Sequence, residues 1–77
     1  MDTQVLRLKK KLLAEIKREM KVSNVSQGEV GRRVEMLRNN VNSVLLGRSN
    51  ASLDQLVKIA SSIDLTIELA VKRKTEN

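Results

Sequence analysis

The chain has no Phe, Trp or Tyr, no Cys, no Pro and no His among its 77 residues. Each absence removes a class of function. Without cysteine there are no disulfides and no thiol chemistry, and without histidine nearly all zinc sites disappear as well. The commonest general base and the usual nucleophile–base pairs are missing too. Proteins that bind single strands ordinarily stack bases on aromatic rings, and this chain has none to offer. No apolar run approaches the roughly 18 residues that span a bilayer. The opening Met1-Asp2-Thr3-Gln4 lacks the basic and then apolar pattern of a secretory signal, so the expected location is cytoplasmic.

What remains is an aliphatic, basic chain. Hydrophobic residues make up 40% of it, enough for one folded domain over residues 1–77. The core must come from Leu, Ile, Val, Met and Ala, and subunit association would strengthen so thin a core. Fifteen Lys and Arg against nine Asp and Glu give a net charge of +6. That balance suits a polyanionic partner, although a small domain also gains solubility from it. The carboxylates Glu15, Glu19, Glu29, Glu35 and Glu68 are scattered along the chain. No catalytic constellation is expected, and no cofactor, metal or small-molecule substrate.

Periodicity divides the chain into short helices. Val5, Leu8, Leu12, Leu13, Ile16 and Met20 recur at helical spacing and predict a first helix over residues 4–20. Seven basic and two acidic side chains lie between Arg7 and Lys21, a local excess of five. This is either a solvated face or a phosphate-contacting one. Ser26 with Glu29, and Ser52 with Gln55, have the spacing of capping boxes. They open a second helix ending near Val34 and a fourth ending near Ile63, with Leu53, Leu56, Val57, Ala60 and Ile63 as the buried face of the fourth. Glu35-Met36-Leu37 reads as a tight turn, followed by a third helix from Arg38 to Leu46 that Gly47 stops.

The period then changes. Leu65, Ile67, Leu69 and Val71 alternate with Thr66, Glu68, Ala70 and Lys72, which predicts a strand over 65–72 rather than an extension of the fourth helix. A lone strand needs a partner edge. The same strand of a second subunit would supply it and make a two-fold homodimer. Residues 73–77 read as a polar, flexible tail.

The stretch from Gln27 to Gly47 is the most informative. Two short helices joined by a tight turn need one small residue where they cross, and Gly31 stands there. Val30, Val34, Met36, Val41 and Val44 supply the apolar contacts. This is the spacing of a helix-turn-helix, whose second helix enters the DNA major groove.

The pattern Gln27-x-x-Val30-Gly31-x-x-Val34, then Met36, Val41, Val44 and Gly47, resembles the Cro/lambda-repressor type of helix-turn-helix. The resemblance continues through Leu53-x-x-Leu56-x-x-Ile59-Ala60-x-x-Ile63 and covers roughly residues 26–64. The alternating tail is similar to the dimerising C-terminal strands of some members, including Cro-like phage repressors and DNA-binding antitoxins. The implied fold is mostly α: a four-helix domain with a short C-terminal strand. Two departures stand out. The family usually has glycine where this chain has Glu35, because that turn favours a positive φ. It usually has Ser or Thr near Leu37 as a cap, so Asn39 or Asn40 would cap instead and start the helix later.

The resemblance implies a sequence-specific repressor that binds double-stranded DNA as a homodimer, associated with the nucleoid. Arg38, Asn39, Asn42 and Ser43 take the outward, base-reading positions. Arg suits guanine O6 and N7, Asn suits adenine N6 and N7, and Ser suits several bases. One of Asn39, Asn40 and Asn42 is expected to be a cap rather than a reader. Gln27, Arg32, Arg33, Arg48, Ser49 and Asn50 are the candidate phosphate contacts. For Arg32 and Arg33 an ordinary solvated surface fits equally well. Two alternatives stand beside repression: an antitoxin that also grips a toxin, and a non-specific nucleoid-type protein.

Overall fold

The computed structural model describes residues 3–68. Four helices follow in order: α1 (Thr3–Val22), α2 (Gln27–Val34), α3 (Arg38–Leu45) and α4 (Leu53–Ser62). The expected boundaries are met to within two residues. Ser26 and Ser52 are the N-caps of α2 and α4, their hydroxyls accepting from the backbone N–H of Glu29 and Gln55 at 3.1 Å. Only this half of each capping box forms. Glu29 turns to Arg32 and Arg33, and the Gln55 amide reaches the Met36 sulfur at 3.6 Å.

All four helices end with the same device. A residue with positive φ follows the last turn: Asn24 (57°), Glu35 (59°), Gly47 (75°) and Asp64 (63°). The next backbone N–H then reaches back five residues. Val25 donates to Met20 O at 2.8 Å, Met36 to Gly31 O at 2.7 Å, Arg48 to Ser43 O at 2.9 Å and Leu65 to Ala60 O at 3.0 Å. This is the left-handed stop that satisfies orphan carbonyls at a helix C-terminus. In three cases the donating residue is apolar, and Val25, Met36 and Leu65 all pack against the core. The stop thus ends the helix and also fixes the direction in which the chain returns.

The core consists of Ile16, Met20, Val30, Val34, Val41, Val44, Leu45, Ala51, Leu56, Ile59, Ala60 and Ile63. Helix α4 is its hub, packing against both α1 and α2, while α2 also packs on α3. Ala60, fully buried, leaves room for this close assembly. Each fully buried aliphatic side chain contributes about 1.5–3 kcal/mol, so Ile16, Val30, Val41, Leu56 and Ile59 form the centre of stability.

Two expected faces are corrected. On α1 only Ile16 and Met20 are buried, and Leu12 and Leu13 are half-buried. Val5 and Leu8 are exposed, because the side of α1 that faces the loop after α3 carries Leu6, Lys9, Lys10 and Leu13 instead. On α4, Ile59 is buried in place of Leu53 and Val57, which lie exposed at the edge of that face.

The expected strand is not seen over 65–68, which have no regular secondary structure. Leu65 instead closes the end of α4 and packs on the core, while Ile67 is exposed. Leu69 and Val71, with the rest of the strand and the tail, lie outside the described residues.

Candidate nucleic-acid interface

The joint between α2 and α3 is set by Gly31 and Glu35. A Cβ on Gly31 would stand 2.5 Å from the Met36 carbonyl oxygen and 3.5 Å from a Val41 methyl. The close neighbour is therefore the turn itself, folded back over α2, with α3 just behind it. Glu35 adopts φ 59°, ψ 47°, the left-handed conformation for which glycine is ordinarily chosen. The turn has the expected shape even though a glutamate occupies it.

Helix α3 buries Val41, Val44 and Leu45. Its other residues are polar, and exposed Leu46 follows as the C-cap. Arg38, Asn39 and Asn40 are exposed at its start, and Asn42 and Ser43 are half-buried. The expectation of an asparagine cap is corrected. Leu37 holds the N-cap position without any side-chain cap bond, and both Asn39 and Asn40 lie within the helix. The helix begins early because the turn already places Leu37 in an extended conformation. Its carbonyl then accepts from the N–H groups of Asn40 and Val41.

Gln27 and Asn42 are brought together from opposite ends of the motif. The Gln27 side-chain amide donates to Asn42 Oδ1 at 3.0 Å. The first residue of α2 and the middle of α3 are thereby held in fixed register. Asn42 keeps its own NH₂ group as a donor.

Arg32 and Arg33 are engaged within the protein. Glu29 receives both Nε and Nη2 of Arg32, at 3.2 and 2.5 Å, and Nε of Arg33 at 2.9 Å. Arg33 Nη1 also donates to the Ser62 carbonyl at 2.7 Å and so ties α2 to the C-terminus of α4. These bonds give Arg33 a structural tie that neither the phosphate nor the solvated-surface reading included.

The hydrogen bonds from Arg32, and then from Arg33, hold the Glu29 carboxyl below its ordinary value of 4.5. The same pairing raises Arg32. A depressed folded-state value means the stabilisation is present above the unfolded value and is lost as pH falls through the folded one. The Tm advantage of the native chain over Glu29→Gln should therefore be present at neutral pH and vanish as both are titrated into acid. A constant difference across the range would exclude the charged clamp as its cause.

After α3 the chain runs through Arg48, Ser49 and Asn50, all exposed. At the other three helix ends an apolar residue folds inward, but here Arg48 stands in that place. No Asp or Glu occurs from Met36 to Leu53, so the α3 face and its following loop carry only positive formal charge. Ser43 and Ser49 share a cleft with Glu35, Leu37, Asn40 and Gln55. Leu37 itself is 72% exposed at the entrance to α3. Its apolar type alone suggests burial, so nothing local in the sequence marks it as a surface residue. Asn40, expected as a cap, is exposed within α3 beside it. Of the expected site residues, Gln27, Arg38, Asn39, Asn42, Ser43, Arg48, Ser49 and Asn50 belong to the α2 start, α3 and the loop after it. Comparison with protein-family models, with curated proteins and with solved structures found no match.

Proposed function

We propose that the chain is a sequence-specific double-stranded DNA-binding repressor that acts as a homodimer. The observation that carries this reading is the α2–turn–α3 unit. It holds a short helix by its apolar side and presents Arg38, Asn39, Asn42 and Ser43, with Glu35 the carboxylate that shares the cleft beside Ser43. These side chains are donors and acceptors of the kind that distinguish base pairs in the major groove. Leu37 and Leu46 add apolar surface suited to a thymine methyl.

Arg48, Ser49 and Asn50 supply phosphate contacts beside the reading helix, and Gln27 does so at the start of α2. Arg32 is a peripheral contact at most, being clamped by Glu29. Occupancy of a promoter is the proposed means of repression. A homodimer would place two copies of α3 about 34 Å apart, one turn of DNA, over a roughly palindromic operator.

Selection of bound duplexes from a random pool tests this reading, carried out in ~150 mM salt, where simple ionic attraction is screened. The expected product is a palindromic motif with half-sites one helical turn apart. Recovery of unrelated duplexes would reduce the protein to a non-specific DNA coat. Recovery of none would remove DNA altogether.

A further inference from the structure

A second surface lies between α1 and the loop that follows α3. Leu6 and Leu13 of α1 form one wall of a groove of about 270 Å³, and Val44, Ala51 and Leu56 form its floor. Lys9 and Lys10 stand on one side and Arg48 on the other, and no carboxylate lines it. The volume falls just below the 300–1,000 Å³ of ordinary small-molecule pockets. It suits one or two inserted apolar side chains.

Phosphodiester alone does not account for this construction. A DNA strand would meet the cations but leave Leu6, 41% exposed, with nothing apolar to cover it. A segment with leucine-like side chains on one face and carboxylates beside them satisfies both parts. Its apolar groups would enter against Leu6 and Leu13, and its carboxylates would pair with Lys9, Lys10 and Arg48. We infer that this groove docks an acidic amphipathic helix of a partner protein.

The docking itself stands on the groove. Its consequence rests on the DNA reading given above: Arg48, Ser49 and Asn50 line the groove and are also proposed phosphate contacts, so partner and DNA would compete. An occupied groove would release the operator.

The test uses the full chain with labelled Leu, Val and Ala methyl groups and no DNA. The probe is a synthetic peptide of roughly 15 residues, long enough to form a helix, with leucines at three- and four-residue spacing and glutamates elsewhere. Its control replaces the leucines by serine at equal charge. The expected result is saturable shifts at Leu6, Leu13 and Ala51 methyls with the leucine peptide alone. Leu6→Gln should weaken binding about tenfold or more, the loss of one buried leucine contact, with the Tm unchanged. Lys10→Glu should also weaken it.

Equal binding of the serine peptide would overturn the proposal and leave plain polyanion attraction. Equal methyl shifts with anionic phosphatidylserine vesicles would overturn it in favour of a lipid surface. Adding the selected duplex then separates the two readings. Peptide that binds but does not displace DNA supports the docking and removes Arg48 from the DNA interface. DNA binding that persists when no peptide binds leaves repression standing and the groove without a partner.

Discussion

Gly31→Ala is expected to lower stability by about 2 kcal/mol, through overpacking against a rigid neighbour. The added Cβ would meet the Met36 carbonyl oxygen at 2.5 Å. That oxygen belongs to the backbone of a turn fixed by the Met36 N–H bond to Gly31 O and by the left-handed Glu35. It has no rotamer through which to escape. Alanine is the better helix former by ~1 kcal/mol, so the clash must exceed that gain before any loss is seen. For a domain of this size the net loss corresponds to a drop in Tm of roughly 8–16 °C. Gly28→Ala is the control of opposite sign. Its Cβ would meet only Ser26 Oγ, at 3.9 Å, so the change should be neutral or stabilising. Thermal melts of the two variants beside the native chain decide the matter. A Gly31→Ala protein as stable as the native one would mean that α2 and α3 can separate, and the rigid joint would lose its basis.

The second large effect concerns DNA selection, and it separates residues by role. Arg38→Ala or Asn39→Ala should blur the selected motif at one base pair in each half-site, because a bidentate base contact is worth about 1–3 kcal/mol of discrimination. Asn42→Ala should do more, since it also releases Gln27 from its 3.0 Å bond. Arg48→Ala should weaken all duplexes alike and reduce the slope of affinity against salt by about 1 per site. Arg33→Ala should leave both motif and slope unchanged and lower the Tm instead, because its guanidinium is spent on Glu29 and the Ser62 carbonyl. Binding of the five variants to the selected duplex and to its single-base mutants, over a range of salt, with a thermal melt of Arg33→Ala, measures these outcomes. A motif indifferent to Arg38 and Asn39 but altered by Arg33→Ala would place the reading face elsewhere.

The extent and order of the helices were legible in the sequence because they depend on local rules. Apolar spacing, Ser26 and Ser52 as caps, and Gly47 as a stop each act within a few residues. The small residue at Gly31 was legible too, since a tight turn between two short helices demands one.

Tertiary structure decided what local rules leave open. Asn24, Glu35 and Asp64 stop their helices without a glycine, each adopting a positive φ. The burial of the following Val25, Met36 or Leu65 helps offset the strain. The same packing draws Leu65 onto the core as the end of α4, a contact that the alternation from Leu65 onward does not reveal. Which apolar residues of α1 stay exposed was likewise decided by packing, which turns Leu6 and Leu13 toward the loop after α3 and leaves Val5 and Leu8 outside. The roles of Arg32 and Arg33 turned on whether Glu29 and the end of α4 lie within reach, and the Arg33–Ser62 bond joins residues 29 positions apart. Sequence determines what each side chain is able to do; only the packing of distant segments determines which partner it meets, because that choice depends on distance in space rather than along the chain.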